Sequence, residues 1–163
     1  MEIEKKAEDF KSLTRVVPKA ELENIILLRC TAMRALDALS YEHVKADISS
    51  SSELLDNNDQ SFSAKVLFGF KGCPVGEEKN EIIKIEAEFL LKYKLHGQEG
   101  FSIDDLKAFC SMNPLYNAWP YWRELVQSMS NRMDTPVFTI PLLKIRPPKT
   151  KKMEKEQKST RPA

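Results

Sequence analysis

The side chains able to do chemistry are few and scattered. Cys30, Cys73 and Cys110 stand far apart, and His43 and His96 are each isolated. A zinc site needs closely spaced Cys or His pairs, and a disulfide framework needs an even set of cysteines. Three dispersed thiols fit neither and suit a reducing compartment. The adjacent carboxylates Asp104 and Asp105 could pair as acid and base. They follow Ser102 at capping-box spacing, however, which makes them the opening of a helix. No glycine-rich phosphate loop, nucleophile elbow or triad spacing is present. These residues predict no enzyme, no metal and no cofactor. What remains is non-covalent: Trp119, Trp122 and Phe138, with Met129 and Met133, offer apolar surface either to a core or to another polypeptide.

These aromatics lie in residues 119–143, which read as a helix followed by an extended strip. Pro120 is placed at the first helical position, where its missing N–H goes unneeded. Trp122, Val126, Met129 and Met133 then share one face, widened by Leu125. Arg123, Glu124, Gln127, Ser130 and Asn131 take the other. Pro136 and Pro141 forbid further helix and leave Val137, Phe138, Ile140, Leu142 and Leu143 as an apolar strip.

Such a helix needs a sheet beneath it. Residues 22–36 contain the continuous apolar run Ile25 to Leu28 and are assigned to a strand. Residues 41–49 alternate softly and form a second strand, and the Ser, Asn and Asp of 49–60 form a loop. In 61–71, Phe62, Ala64, Val66, Phe68 and Phe70 alternate with mostly polar groups. In 81–95, Ile83, Ile85, Ala87, Phe89, Leu91, Tyr93 and Leu95 do the same. Residues 102–109 make a short helix, stopped by Asn113-Pro114. The fold class is therefore α+β: four mainly antiparallel strands, then two helices. A 13-residue helix covers only part of such a sheet, and the uncovered area predicts self-association or a binding groove.

The 163-residue chain is globular in composition, with a net charge of +1 unevenly spread. Residues 146–163 carry seven Lys or Arg and two Glu, a net +5 that leaves −4 on 1–145. The start, Met-Glu-Ile-Glu-Lys-Lys, has no signal-peptide core, and no apolar run reaches membrane-spanning length. The expectation is a cytoplasmic protein without membrane insertion. Its domains are a leader at 1–21, a folded domain at 22–147 and a basic, disordered tail at 148–163.

Two segments resemble the SecB export-chaperone family, and more closely its members attached to toxin–antitoxin systems. They are Asn117-Ala-Trp-Pro-Tyr-Trp-Arg-Glu-Leu-Val-Gln-Ser-Met-Ser-Asn-Arg132 with its proline-bearing strip, and Ile26-Leu-Leu-Arg-Cys-Thr-Ala32 in the first strand. The resemblance implies a four-stranded antiparallel sheet with helices on one face, assembled as a dimer of dimers. It implies an ATP-independent holdase that binds non-native polypeptides in apolar grooves, for export or for protection of an aggregation-prone antitoxin. By that resemblance Val44, Ile48, Trp119, Val137, Phe138, Ile140 and Leu142 face clients. Ile85, Ala87, Phe89, Trp122, Val126 and Met129 join protomers in a homotetramer. Glu86 falls where export members touch the motor ATPase SecA. The short basic tail departs from the long helix and acidic tail of export members, which weighs against SecA and toward an antitoxin client.

A different reading makes the chain an oligomeric scaffold whose basic tail binds nucleic acid or an anionic surface. No aromatic groups interleave with the lysines for base stacking, so the tail reads as a solubilising segment.

Overall fold

The computed structural model describes residues 14–38, 41, 43–97, 100–135 and 138–143. Four strands come first: β1 (Ala20–Arg34), β2 (Val44–Asn57), β3 (Ser61–Pro74) and β4 (Ile83–Leu95). Two helices follow, α1 (Ile103–Cys110) and α2 (Asn113–Arg132). The strands form one antiparallel sheet in the order β1-β4-β3-β2, so the two most regular strands are central. Both helices lie on the face carrying Phe62 to Phe70 and Ile83 to Tyr93. The α+β class is as the residue pattern predicts, and the helices on one face are as the resemblance implies.

Alternation explains the centre of the sheet. Along β3 and β4 every second side chain is buried, and the residues between them face solvent. At the α1 end, Phe62 stacks on Tyr93 with centroids 4.8 Å apart, and Phe109 meets both rings edge-on. Asn117 Nδ2 donates to the Tyr93 hydroxyl at 2.9 Å, which satisfies a buried polar group. Ser102 caps α1 as expected: its hydroxyl accepts from the Asp105 N–H, and the Asp105 carboxylate accepts from the Ser102 N–H.

Three expectations are corrected. Strand β2 does not stop at Ser49; it runs to Asn57 through the segment expected to be a loop. As an edge strand with much of both faces in solvent, it carries no burial pattern for the eye to follow. Helix α2 has 20 residues, not 13, because the proline near its start is Pro114, while Pro120 lies inside it. Pro120 has no N–H to give the Tyr116 carbonyl, a defect costing about 3 kcal/mol in an isolated helix. Burial of Pro114, Ala118 and Trp119 on the added turns offsets it. Finally, Ser130 is buried rather than solvent-facing. Its hydroxyl donates to the Val126 carbonyl, and its own carbonyl accepts from the N–H and hydroxyl of Thr135.

Residues 14–16 are helical, Val16 is fully buried, and Arg15 pairs with Asp105 at 3.4 Å. This end of the leader packs on α1 and the sheet. Residues 1–13 and the tail at 148–163 lie outside the described residues.

Candidate functional site

The longer α2 changes what the sheet leaves open. Trp122 stacks on Phe68, centroids 5.3 Å apart and planes 10° from parallel, and Trp119 meets the same ring edge-on. The helix is thus anchored over β3 and β4. The helix-side faces of both edge strands stay partly open. On β1, Leu22 and Leu27 are exposed; on β2, Ile48 is 40% exposed and Ser50 is also in solvent.

Beside α2 the chain doubles back. Asp134 adopts a left-handed conformation (φ 52°), with hydrogen bonds from the Asp134 N–H to Asn131 and from the Thr135 N–H to Ser130. That is a Schellman turn with aspartate where glycine is commonest. Residues 138–143 then run back along the helix. Phe138 rests on Phe70, centroids 4.8 Å apart, and Phe70 is the cross-strand neighbour of Ile48. Ile140 is buried, while Leu142 is 66% exposed. The Trp119 indole N–H donates to the Pro141 carbonyl at 2.9 Å, and Arg123 Nε donates to the Ile140 carbonyl at 2.7 Å. Contacts therefore run from Ile48 through Phe70 to Phe138, and on along the strip to Leu142.

Val44 lies at the far end of this surface, partly buried and packed close to Gly72. A methyl group at Gly72 would sit 3.1 Å from Val44 Cγ1 and 3.3 Å from Ile83 Cβ. Of the residues expected to face a client, Val44, Ile48, Phe138 and Leu142 retain exposure. Trp119 and Ile140 are nearly buried and form the support beneath. Val137 lies outside the described residues.

The expected oligomer contacts fare differently. Ile85, Ala87, Phe89, Trp122 and Val126 are at most 4% exposed within the single chain, and Met129 is packed against the same core. The first five lie in the interior between sheet and helix, and Met129 is partly buried beside them. Trp122, stacked on Phe68, supplies cover over the central strands from within the helix as expected. What α2 shows to solvent is Pro120, Tyr121, Glu124, Gln127, Asn131 and Arg132.

Glu86 lies on the opposite face of the sheet among matched charges. It pairs with Lys84 at 3.0 Å and accepts from the Thr31 hydroxyl, beside the pairs Arg29–Glu88 and Lys65–Glu53. A shallow depression of about 330 Å³ over Gly69, edged by Arg29, Ser49, Ser51, Leu67 and Glu86, lies on that same face. Among the described residues no three His, Cys, Asp or Glu side chains converge on a metal position. Burial pushes the Cys110 thiol up to about 12, far from a reactive thiolate, and raises Cys30 as well. No helix among the described residues is long and apolar enough to cross a membrane.

The residue that sequence reasoning missed is Arg123, placed there on a plain solvent face. The available signal was its spacing from Trp119. Two N–H donors four apart on a helix share one side and can reach successive carbonyls of a parallel or antiparallel segment.

No family model matches the sequence, and no curated protein is significantly similar to it. Among solved structures, the chain is similar to the Mycobacterium tuberculosis SecB-like chaperone in complex with a ChAD peptide from the HigA1 antitoxin. The TM-score is 0.71 at 18% identity, over 85% of this chain and 99% of that one. The fold is thus the SecB-like α+β fold. A protein of unknown function from Streptococcus agalactiae superposes with a TM-score of 0.44 at 12% identity, over 76% of this chain and 98% of that one.

Proposed function

We propose that this protein is an ATP-independent chaperone that holds non-native polypeptide against the surface formed by Val44, Ile48, Phe138 and Leu142. The observation that carries the reading is the partly open apolar margin of Ile48, Phe138 and Leu142 beside α2, joined from beneath by the buried Phe70. Unfolded chains present apolar side chains and unpaired backbone groups together. A margin of aromatic and aliphatic groups beside an edge strand and an extended strip can engage both. Release follows when the client buries the same groups by folding, so no nucleotide is needed. The fold shared with a chaperone solved with an antitoxin peptide supports an antitoxin as the client class.

Assembly as a homotetramer belongs to the same reading, with the contact moved to the exposed side of α2 at Tyr121, Glu124, Gln127 and Asn131. The cations beside Glu86, Lys84 and Arg29, weigh against SecA as a partner in this reading. We place the protein in the cytoplasm, where unfolded export or antitoxin clients would be met.

The test is aggregation of a chemically denatured client on dilution, followed by light scattering without nucleotide, with native mass spectrometry of the chaperone alongside. Suppression that saturates at a fixed ratio and a mass of four protomers are expected. Unchanged aggregation in the presence of a well-folded protein overturns the reading.

A further inference from the structure

Residues 138–143 belong to no helix or strand, and no backbone hydrogen bond joins them to any described residue. Backbone that keeps one course is ordinarily held by such bonds, because its donors and acceptors must be satisfied one by one. Here the two recorded hydrogen bonds come from side chains of α2: Trp119 Nε1 to the Pro141 carbonyl, and Arg123 Nε to the Ile140 carbonyl. The indole N–H is fixed by its ring, while Arg123 carries a planar set of donors at the end of a flexible stem. Trp119 is itself held edge-on against Phe68, so its N–H is aimed by the core.

We propose that Arg123 and Trp119 are positioning residues that pin the strip by two successive carbonyls and so hold Phe138 and Leu142 in place for the client. The consequence for clients rests on the chaperone reading; the pinning itself does not. Without the pair, the apolar anchors Phe138, Ile140 and Leu143 would be left to fix where the strip lies, and a slide along the helix would misplace Leu142. Arg123 acts here through its Nε–H rather than its charge. A glutamine side chain carries its amide nitrogen at the same distance along the chain and can supply the same donor; methionine matches the length without one.

The experiment compares Arg123→Met, Arg123→Gln and Trp119→Phe with the wild type in the full chain. Three measurements are made: the rate of chymotryptic cleavage after Phe138 and Leu142, affinity for a fluorescently labelled, permanently unfolded polypeptide, and Tm. Arg123→Met and Trp119→Phe are expected to speed cleavage at these two positions. Arg123→Met weakens polypeptide binding about tenfold, the scale of one strong hydrogen bond, with Tm held near the wild-type value. Arg123→Gln restores both the cleavage rate and the affinity. Unchanged cleavage in Arg123→Met overturns the proposal, as does failure of Arg123→Gln to rescue, or faster cleavage spread over the whole protein with a fallen Tm. If the wild type binds no unfolded polypeptide, the chaperone reading fails, and the cleavage data still decide whether the strip is pinned.

Discussion

Phe68 and Trp122 stack with centroids 5.3 Å apart and planes 10° from parallel, and this contact ties the middle of the sheet to the middle of α2. Trp122 is fully buried, and its indole N–H has no hydrogen-bond partner among the described residues. Its contribution is therefore packing alone, reduced by the cost of an unsatisfied donor. Trp122→Ala should cost about 3 to 5 kcal/mol. Trp122→Phe should cost much less, since it removes the unpaired N–H together with part of the ring. Urea unfolding measures both. Similar losses for the two variants would mean that the donor has a partner after all.

Asp134 holds the turn that sends the strip back along α2. Its φ of 52° is strained for a residue with a Cβ, although aspartate tolerates it better than most. Asp134→Gly should raise stability by about 0.5 kcal/mol, and Asp134→Val should lower it by about 1 to 2 kcal/mol. The urea midpoint reads both. Because Thr135 bonds to Ser130 from this turn, Asp134→Val should also speed hydrogen exchange at Thr135 before the helix centre responds.

What could be read from the chain follows from where burial imposes a pattern. Strands β3 and β4 have one face buried almost throughout, so Phe62 to Phe70 and Ile83 to Leu95 alternate with mostly polar groups, Leu67 and Leu90 being the exceptions. Strand β2 was half missed because its second half, Ser49 to Asn57, is held by the ladder to β3 more than by side chains, and a ladder leaves no trace in residue type. Pro120 misled for a related reason. A proline inside a helix is disfavoured locally, and only the tertiary burial of Trp119 and Ala118 reverses that preference. The exposed and buried halves of the proposed site were also mixed. Trp119, Ile140 and Leu142 look equally greasy in the chain, and only the carbonyl contacts from α2 decide which one faces outward.

Alkali should unfold the protein earlier than its ion pairs alone require. Burial pushes Cys110 from 9.0 up to about 12, and burial likewise raises Tyr93 above its ordinary 10.0, the hydrogen bond from Asn117 opposing it. Both groups hold their protons more tightly when folded. Their contribution is fully present below about pH 9 and is lost as pH rises through the folded values. Circular dichroism from pH 8 to 12 should show a transition that moves upward in a Cys110→Ala, Tyr93→Phe double variant, each protein being compared with its own stability at pH 8. A transition at the same pH in both would remove these groups as its cause.

Leu142 and Leu67 separate the proposed client surface from the rest of the exposed apolar groups. Leu142 is 66% exposed on the strip; Leu67 is 38% exposed on the opposite, charge-paired face of the sheet. Neither packs deeply, so aspartate at either position should change stability by about 0.5 kcal/mol or less at Leu142 and by about 1 kcal/mol at Leu67. Their effects on client binding should diverge. A carboxylate at Leu142 must be desolvated when an apolar client segment lies along Phe138 and Ile48, which should weaken affinity about tenfold or more. At Leu67 it remains in water beside Arg29, and affinity for the unfolded polypeptide should stay as in the wild type. Fluorescence anisotropy with the labelled unfolded chain measures both. Equal losses would move the client to both faces of the sheet, and a loss at Leu67 alone would move it to the face that carries Glu86.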